Sequence, residues 1–147
     1  MSHTPVAVRT PVQKAALAVS AVFALVGIAG FIPGLTTNYD TMMFAGHESR
    51  AMLLGIFMVS ILHNLVHLAF GVVGFLMSRT AHGAYWYLVG GGIVYLLLWL
   101  YGLVIDHDSA ANFVPLNTAD NWLHLLLGIG MMGLGFALGR NAGSRRV

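Results

Sequence analysis

Four long apolar runs alternate along the chain with short segments that hold nearly all of its charges. The runs extend over about Ala15 to Leu35, Met52 to Met77, Ala84 to Ile105 and Ala119 to Gly139, and Asp120 at one edge is their single charged residue. Each reaches the roughly 20 residues that an α-helix needs to cross the hydrocarbon core of a bilayer. Between them lie Thr36 to Arg50, Ser78 to Gly83 and Asp106 to Thr118, rich in turn formers and charge. The pattern predicts an all-α fold, an integral membrane four-helix bundle of two tandem helical hairpins. Pro115 disfavours helix at Val114, and Asn117 followed by Asp120 resembles an N-cap with an acid at the third helical position, which starts the fourth helix there.

Composition agrees. The chain is 58% hydrophobic and only 8% charged, where soluble domains are about 25% charged. Cysteine is absent, which excludes disulfides, thiolate metal ligands and covalently attached c-type haem. The sequence pI of about 9.3 does not point to nucleic acid, because the bases are scattered and report topology instead. With the N-terminus inside, Arg9, Lys14, Arg79, Arg140, Arg145 and Arg146 all fall on the cytoplasmic side and Arg50 alone falls outside. Both termini are therefore expected in the cytoplasm. The acids Asp40, Glu48, Asp106, Asp108 and Asp120 then lie at the outer face. Tyr85, Trp86 and Tyr87 mark an inner aromatic belt, and Trp99, Tyr101 and Trp122 an outer one. The expected divisions are a cytoplasmic segment over 1–14, a transmembrane domain over 15–139 and a basic cytoplasmic tail over 140–147. The first run is too long for a signal-peptide core and lacks a convincing A-x-A site, so it is expected to remain as a helix.

A polar motif recurs inside two of the spans. His63-Asn64-Leu65-Val66-His67-Leu68-Ala69-Phe70-Gly71-Val72 and Asp120-Asn121-Trp122-Leu123-His124-Leu125-Leu126-Leu127-Gly128-Ile129 both fit [HD]-N-x-[VL]-H-L-x-x-G-[VI]. Both spans run from outside to inside, which suits hairpins related by an axis along the membrane normal. Residues four apart share a helix face, so His63, His67 and Gly71 form one stripe and Asp120, His124 and Gly128 another. Ionisable groups are costly in lipid, so both stripes are expected to face the bundle interior or an aqueous cavity.

Several chemistries are open to these stripes. A hydrogen-bonded network of His, Asn and Asp could fix helix register, with Gly71, Gly74, Gly128 and Gly135 permitting close packing. His67 and His124 could be axial ligands of a b-type haem, with Gly71 and Gly128 leaving room for the porphyrin. His63, His67, Asp120 and His124 could bind a transition-metal ion, as an electron-transfer centre or in a metal-dependent hydrolase with Asp120 as ligand or base. Proton or ion handling is a further reading. Depth conflicts with the repeat. At about 1.5 Å per residue, His63 lies roughly 16 Å below the outer end of its run, whereas His124 lies roughly 7 Å below its own.

On the outer face, His47, Glu48, His107, Asp108 and Asp120 could assemble a second metal site, although loop charges are more often solvated. Gly30/Gly34 and Gly135/Gly139 have GxxxG spacing and offer packing faces for a homo-oligomer or a membrane protein partner. The bilayer is the one partner that composition itself demands.

Taken together, Asn38-Tyr39-Asp40, Phe44-Ala45-Gly46-His47, His63-Asn64-Leu65-Val66-His67, Gly90-Gly91-Gly92, Leu98-Trp99-Leu100-Tyr101-Gly102, Asn112-Phe113-Val114-Pro115-Leu116-Asn117 and Asp120-Asn121-Trp122-Leu123-His124 resemble a bacterial four-helix membrane family catalogued as domain of unknown function 4383. The resemblance covers about Ala15 to Gly139. It implies a bacterial plasma membrane and brings no established activity. The expected function is that of a small non-catalytic or accessory membrane protein. The alternatives are haem or transition-metal binding in electron transfer, and metal-dependent hydrolysis.

Overall fold

A computed structural model describes residues 8–139. Residues 1–7 of the expected cytoplasmic segment and the tail 140–147, with Arg140, Arg145 and Arg146, lie outside the described residues. The chain forms α1 (Pro11–Ala29), β1 (Thr36–Thr37), β2 (Ala51–Leu53), β3 (Phe57–Val59), α2 (Ile61–Met77), α3 (Ala81–Val104) and α4 (Thr118–Gly139), with a short 3-10 turn at Tyr39–Thr41.

The four helices run up, down, up and down. Along α1 and α2, Ser20 meets Gly74, Ala24 meets Gly71, Gly27 meets Leu68 and Gly30 meets Asn64. Along α3 and α4, Tyr85 meets Gly139, Val89 meets Gly135, Gly92 meets Gly128 and Gly102 meets Asn121. Each hairpin is therefore antiparallel and closely packed through small residues, as expected where lipid supplies no hydrophobic drive between helices. Phe70 and Tyr87 join α2 to α3, since the Tyr87 hydroxyl donates to Phe70 O at 3.1 Å. The start of α1 is tied to the α2–α3 turn by Gln13 Nε2, which donates to Ser78 O at 3.0 Å and Arg79 O at 2.9 Å. Val12, Ala16, Phe23, Leu88, Tyr95 and Met131 form the main core.

Three of the helices, α1, α3 and α4, are long and apolar enough to cross a membrane. The apolar run from Met52 to Met77, expected as one span, is divided. Its first part is a β-hairpin, and only its last 17 residues are helix. The chain reverses at Leu54 and Gly55, which have φ of 54° and 69°, and Ile56 N donates to Leu53 O at 3.0 Å. A glycine accepts this left-handed backbone readily, so Gly55 breaks a run that hydropathy alone reads as continuous. Ser60 then restarts the chain as helix, its hydroxyl accepting from His63 N at 3.1 Å. Thr36–Thr37 pairs antiparallel with β2, giving a three-stranded sheet. Ala51, Leu53 and Val59 of that sheet pack on Val26, Ala29 and Met42. The segment expected as a simple loop, Thr36 to Arg50, thus belongs partly to a cap over the end of the first hairpin.

Asn117 starts α4 as expected, with its Oδ1 accepting from Asp120 N at 2.9 Å. The GxxxG expectation needs correction. Gly34 lies beyond α1 with φ of 96°. Gly135 and Gly139 face Val89 and Tyr85 of the same chain, so both glycines are used inside the hairpin.

Candidate functional site

The shortened α2 removes the conflict over depth. Counted from Ile61, His67 is the seventh residue of α2, and counted from Thr118, His124 is the seventh residue of α4. The two motifs therefore sit at the same height in their helices. Their surroundings match too. His67 meets the edge of Phe23 from α1, with ring centroids 5.5 Å apart and planes at 66°. His124 meets Tyr95 from α3 at 5.2 Å and 65°. Phe23 and Tyr95 stack on each other at 5.2 Å, which joins the two halves at the centre of the bundle.

The asparagines repeat the same logic one turn higher. Any Cβ at Gly30 would run into the Asn64 amide, and any Cβ at Gly102 into that of Asn121, so each asparagine is seated on a bare glycine backbone of the preceding helix. Asn121 Nδ2 donates to Gly102 O at 3.0 Å. Asn64 Nδ2 instead points to Met42 Sδ at 3.9 Å.

Where the motifs differ, at His63 and Asp120, the chemistry differs as well. His63 Nε2 lies 2.9 Å from His67 Nε2, so one ring presents a hydrogen there and the other a lone pair. Its ring lies 6.5 Å from that of His124. Asp120 takes no part in an imidazole pair. Its Oδ2 accepts from Asn117 N at 3.0 Å, closing a reciprocal cap on α4, and from Met58 N at 3.1 Å, pinning β3 to the start of that helix. All four residues are buried, with exposures between 1% and 5%. Three ring nitrogens, His63 Nδ1, His67 Nδ1 and His124 Nδ1, are buried without a hydrogen-bond partner, as is Asn121 Oδ1.

The residues do not fit a b-type haem. Gly71 and Gly128 were expected to leave room for a porphyrin, but that room is filled. A Cβ at Gly71 would stand 2.9 Å from Ala24 N, and one at Gly128 2.7 Å from Leu96 Cγ. Both glycines admit a neighbouring helix, and the His63 ring lies near both other imidazoles, 4.6 Å from that of His67 and 6.5 Å from that of His124.

A transition ion meets a smaller obstacle. The Nε2 atoms of His63 and His67, 2.9 Å apart, already lie within the roughly 3.3 Å that separates two nitrogens on one tetrahedral ion with bonds of about 2.0–2.1 Å. Among the described residues, however, no three His, Cys, Asp or Glu side chains already stand as a ligand group. Asp120 is committed to backbone N–H groups, which also removes it as a free general base. In the outer loops His47 pairs with Glu48 at 3.2 Å, and His107 Nε2 hydrogen-bonds Gly102 O at 2.8 Å. The outer set His47, Glu48, His107, Asp108 and Asp120 is not assembled into one site.

Several contributors were not singled out from sequence: Phe23, Tyr95, Ser60 and Met58, nor was the seating of Asn64 and Asn121 on Gly30 and Gly102. Ser60 and Asn117 stand at the same spacing before His63 and Asp120, so extending the repeat by three residues upstream would have found both caps.

The family model for a domain of unknown function, DUF4383, matches residues 13–137. The chain belongs to this family. The match spans α2 and α3 whole, all but the two outermost residues of α1 and α4, and every residue of the motif pair described above. No curated protein and no solved structure matches it.

Proposed function

We propose that the chain is a non-catalytic, accessory integral protein of the bacterial plasma membrane, multi-pass, with both termini cytoplasmic. In this reading the His/Asn/Asp cluster is a polar core that fixes the two hairpins in one register. The observation that carries it is the duplicated contact set: in both halves an imidazole is packed edge-on against an aromatic ring, an asparagine is seated on a glycine, and a polar cap starts the helix. Asp120 and Asn121 find hydrogen-bond partners on other elements in this packing, at Met58 N and Gly102 O, and a shift of register would strip them of these in a medium of low polarity. Orientation is supported by Arg9, Lys14 and Arg79 standing at the end opposite to Asp40, Glu48, Asp106 and Asp108. The partners in this reading are the bilayer and a second membrane protein or another copy of the chain, with no nucleic acid.

The test is heat stability of detergent-purified variants. His67→Leu and His124→Leu should both melt well below the native chain, while His82→Leu, at an exposed position, should not. Equal melting of all three would defeat the reading.

The three unpartnered imidazole nitrogens favour a second reading, in which His63, His67 and His124 close on a transition-metal ion with Asp120 outside the ligand set. Elemental analysis of the purified chain separates the two. Stoichiometric metal that vanishes in His63→Ala supports the second.

A further inference from the structure

The end of the bundle at which α1 and α3 begin carries cations and no acidic side chain. All five acids lie elsewhere, in the segments after α1 and after α3 and in the first turn of α4. Arg9, Lys14 and Arg79 are exposed at this end, and among the described residues none of them meets a carboxylate.

A single side chain gathers these residues from two distant parts of the sequence. Gln13 Oε1 accepts from Thr10 N at 3.0 Å, while its Nε2 donates to Ser78 O at 3.0 Å and to Arg79 O at 2.9 Å. Arg9 adjoins Thr10 and Lys14 adjoins Gln13, so the main chain at both is held against the Ser78–Arg79 turn. The amide of Gln13 is thus a clamp with three cations around it. Like charges set at one edge repel, and an anion lying among them relieves that repulsion.

Beside the charges the surface is apolar. Arg79 Cζ lies 5.5 Å from the centre of the Phe75 ring, which places the guanidinium on the side of α2. Phe75 and Val72 of α2 and Val22 and Leu25 of α1 are all exposed. The edge therefore suits an anion that carries a long apolar body, with its charge at headgroup depth and its body along the helices. Guanidinium groups bind phosphate oxygens in pairs, and a lysine adds a point charge. A zwitterionic phospholipid would bring its own ammonium against three cations, whereas an anionic one brings none.

We propose that Arg9, Lys14 and Arg79 hold the phosphate of one anionic phospholipid at the inner edge of the α1–α2 hairpin, with its acyl chains along the exposed faces of those helices. The inference rests on the reading of the bundle as membrane-spanning with this end inside, where the leaflet is negatively charged. Cysteine labelling in cells tests that orientation. The lipid site is tested separately on detergent-extracted full chain, where orientation has no bearing.

The experiment is native mass spectrometry with equal amounts of phosphatidylglycerol and phosphatidylethanolamine of the same acyl composition. The expected result is one phosphatidylglycerol retained per chain, several-fold in preference to phosphatidylethanolamine. The preference should fall about fivefold in Arg79→Gln and in Lys14→Gln, the factor carried by one basic side chain near an anionic surface. Arg50→Gln, which removes the base at the opposite end, should leave it unchanged. Gln13→Ala keeps every charge and releases the clamp, so it should also weaken the preference. Arg79 and Lys14 are exposed, and melting of their variants should stay native. Equal retention of the two lipids, a preference unchanged in Arg79→Gln and Lys14→Gln, or one that survives intact in Gln13→Ala would overturn the proposal.

Discussion

Phe23 and Tyr95 stack with ring centroids 5.2 Å apart at 29°, and each presents an edge relationship to one imidazole, His67 or His124. This contact joins the two hairpins at the middle of the bundle. Removing either ring should loosen both histidines. Phe23→Ala is expected to destabilise the chain by about 3–5 kcal/mol, the range for losing a buried aromatic. Phe23→Tyr should be milder than Phe23→Ala. Thermal melting in detergent checks the order.

The seats of Asn64 and Asn121 give a sharper steric test. Gly30→Ala and Gly102→Ala should each cost about 1–3 kcal/mol, because the added methyl meets an amide held by its own helix. Gly90→Ala and Gly130→Ala, where a Cβ meets open space, should leave melting unchanged or raise it slightly through helix propensity. Melting curves of the four variants check both halves of the statement.

Asp120 behaves as a cap in this account, and so its replacement should act on stability. Asp120→Ala removes the acceptor for Asn117 N and Met58 N and should cost about 1–3 kcal/mol. Asp120→Asn keeps one acceptor oxygen and should recover part of the loss. If metal content fell while melting stayed native, Asp120 would be a ligand and not a cap.

The cysteine-free sequence allows a direct reading of topology. A single cysteine at Ile56, on the β2–β3 turn, should react with a membrane-impermeant maleimide added to intact cells. One at His82, in the first turn of α3, should react only after the membrane is opened. One at Leu126, in the middle of α4, should stay slow in both cases. Labelling of Ile56→Cys only after opening would place the turn on the wrong side.

Much of this architecture was legible in the sequence, for a physical reason. Hydropathy over long runs reports the solvent a helix must live in, and α3 and α4 were found within a few residues on that signal alone, whereas the run expected to end at Leu35 leaves the helix at Ala29. The Asn117–Asp120 cap was legible because its spacing is fixed by one helical turn. Met52 to Val59 was misread because seven apolar residues around a glycine look alike to hydropathy whether they form strand or helix. That error alone produced the false depth of His63. The close packing expected of Gly71 and Gly128 is present, but the room expected there for a porphyrin is not: a glycine beside a histidine leaves room, and only the neighbouring helix decides what fills it. Phe23 and Tyr95 were invisible because their meeting depends on the packing of α1 against α3.

The central claim, that the imidazole cluster between α2 and α4 is a packing core, is tested most directly by a double-mutant cycle in melting. His67→Leu, His124→Leu and the double variant would be compared with the native chain and with His82→Leu. The account predicts that each single variant melts lower, and that the double variant loses less than the two losses combined, because both histidines belong to one interlocked centre. Native melting of both single variants would contradict it.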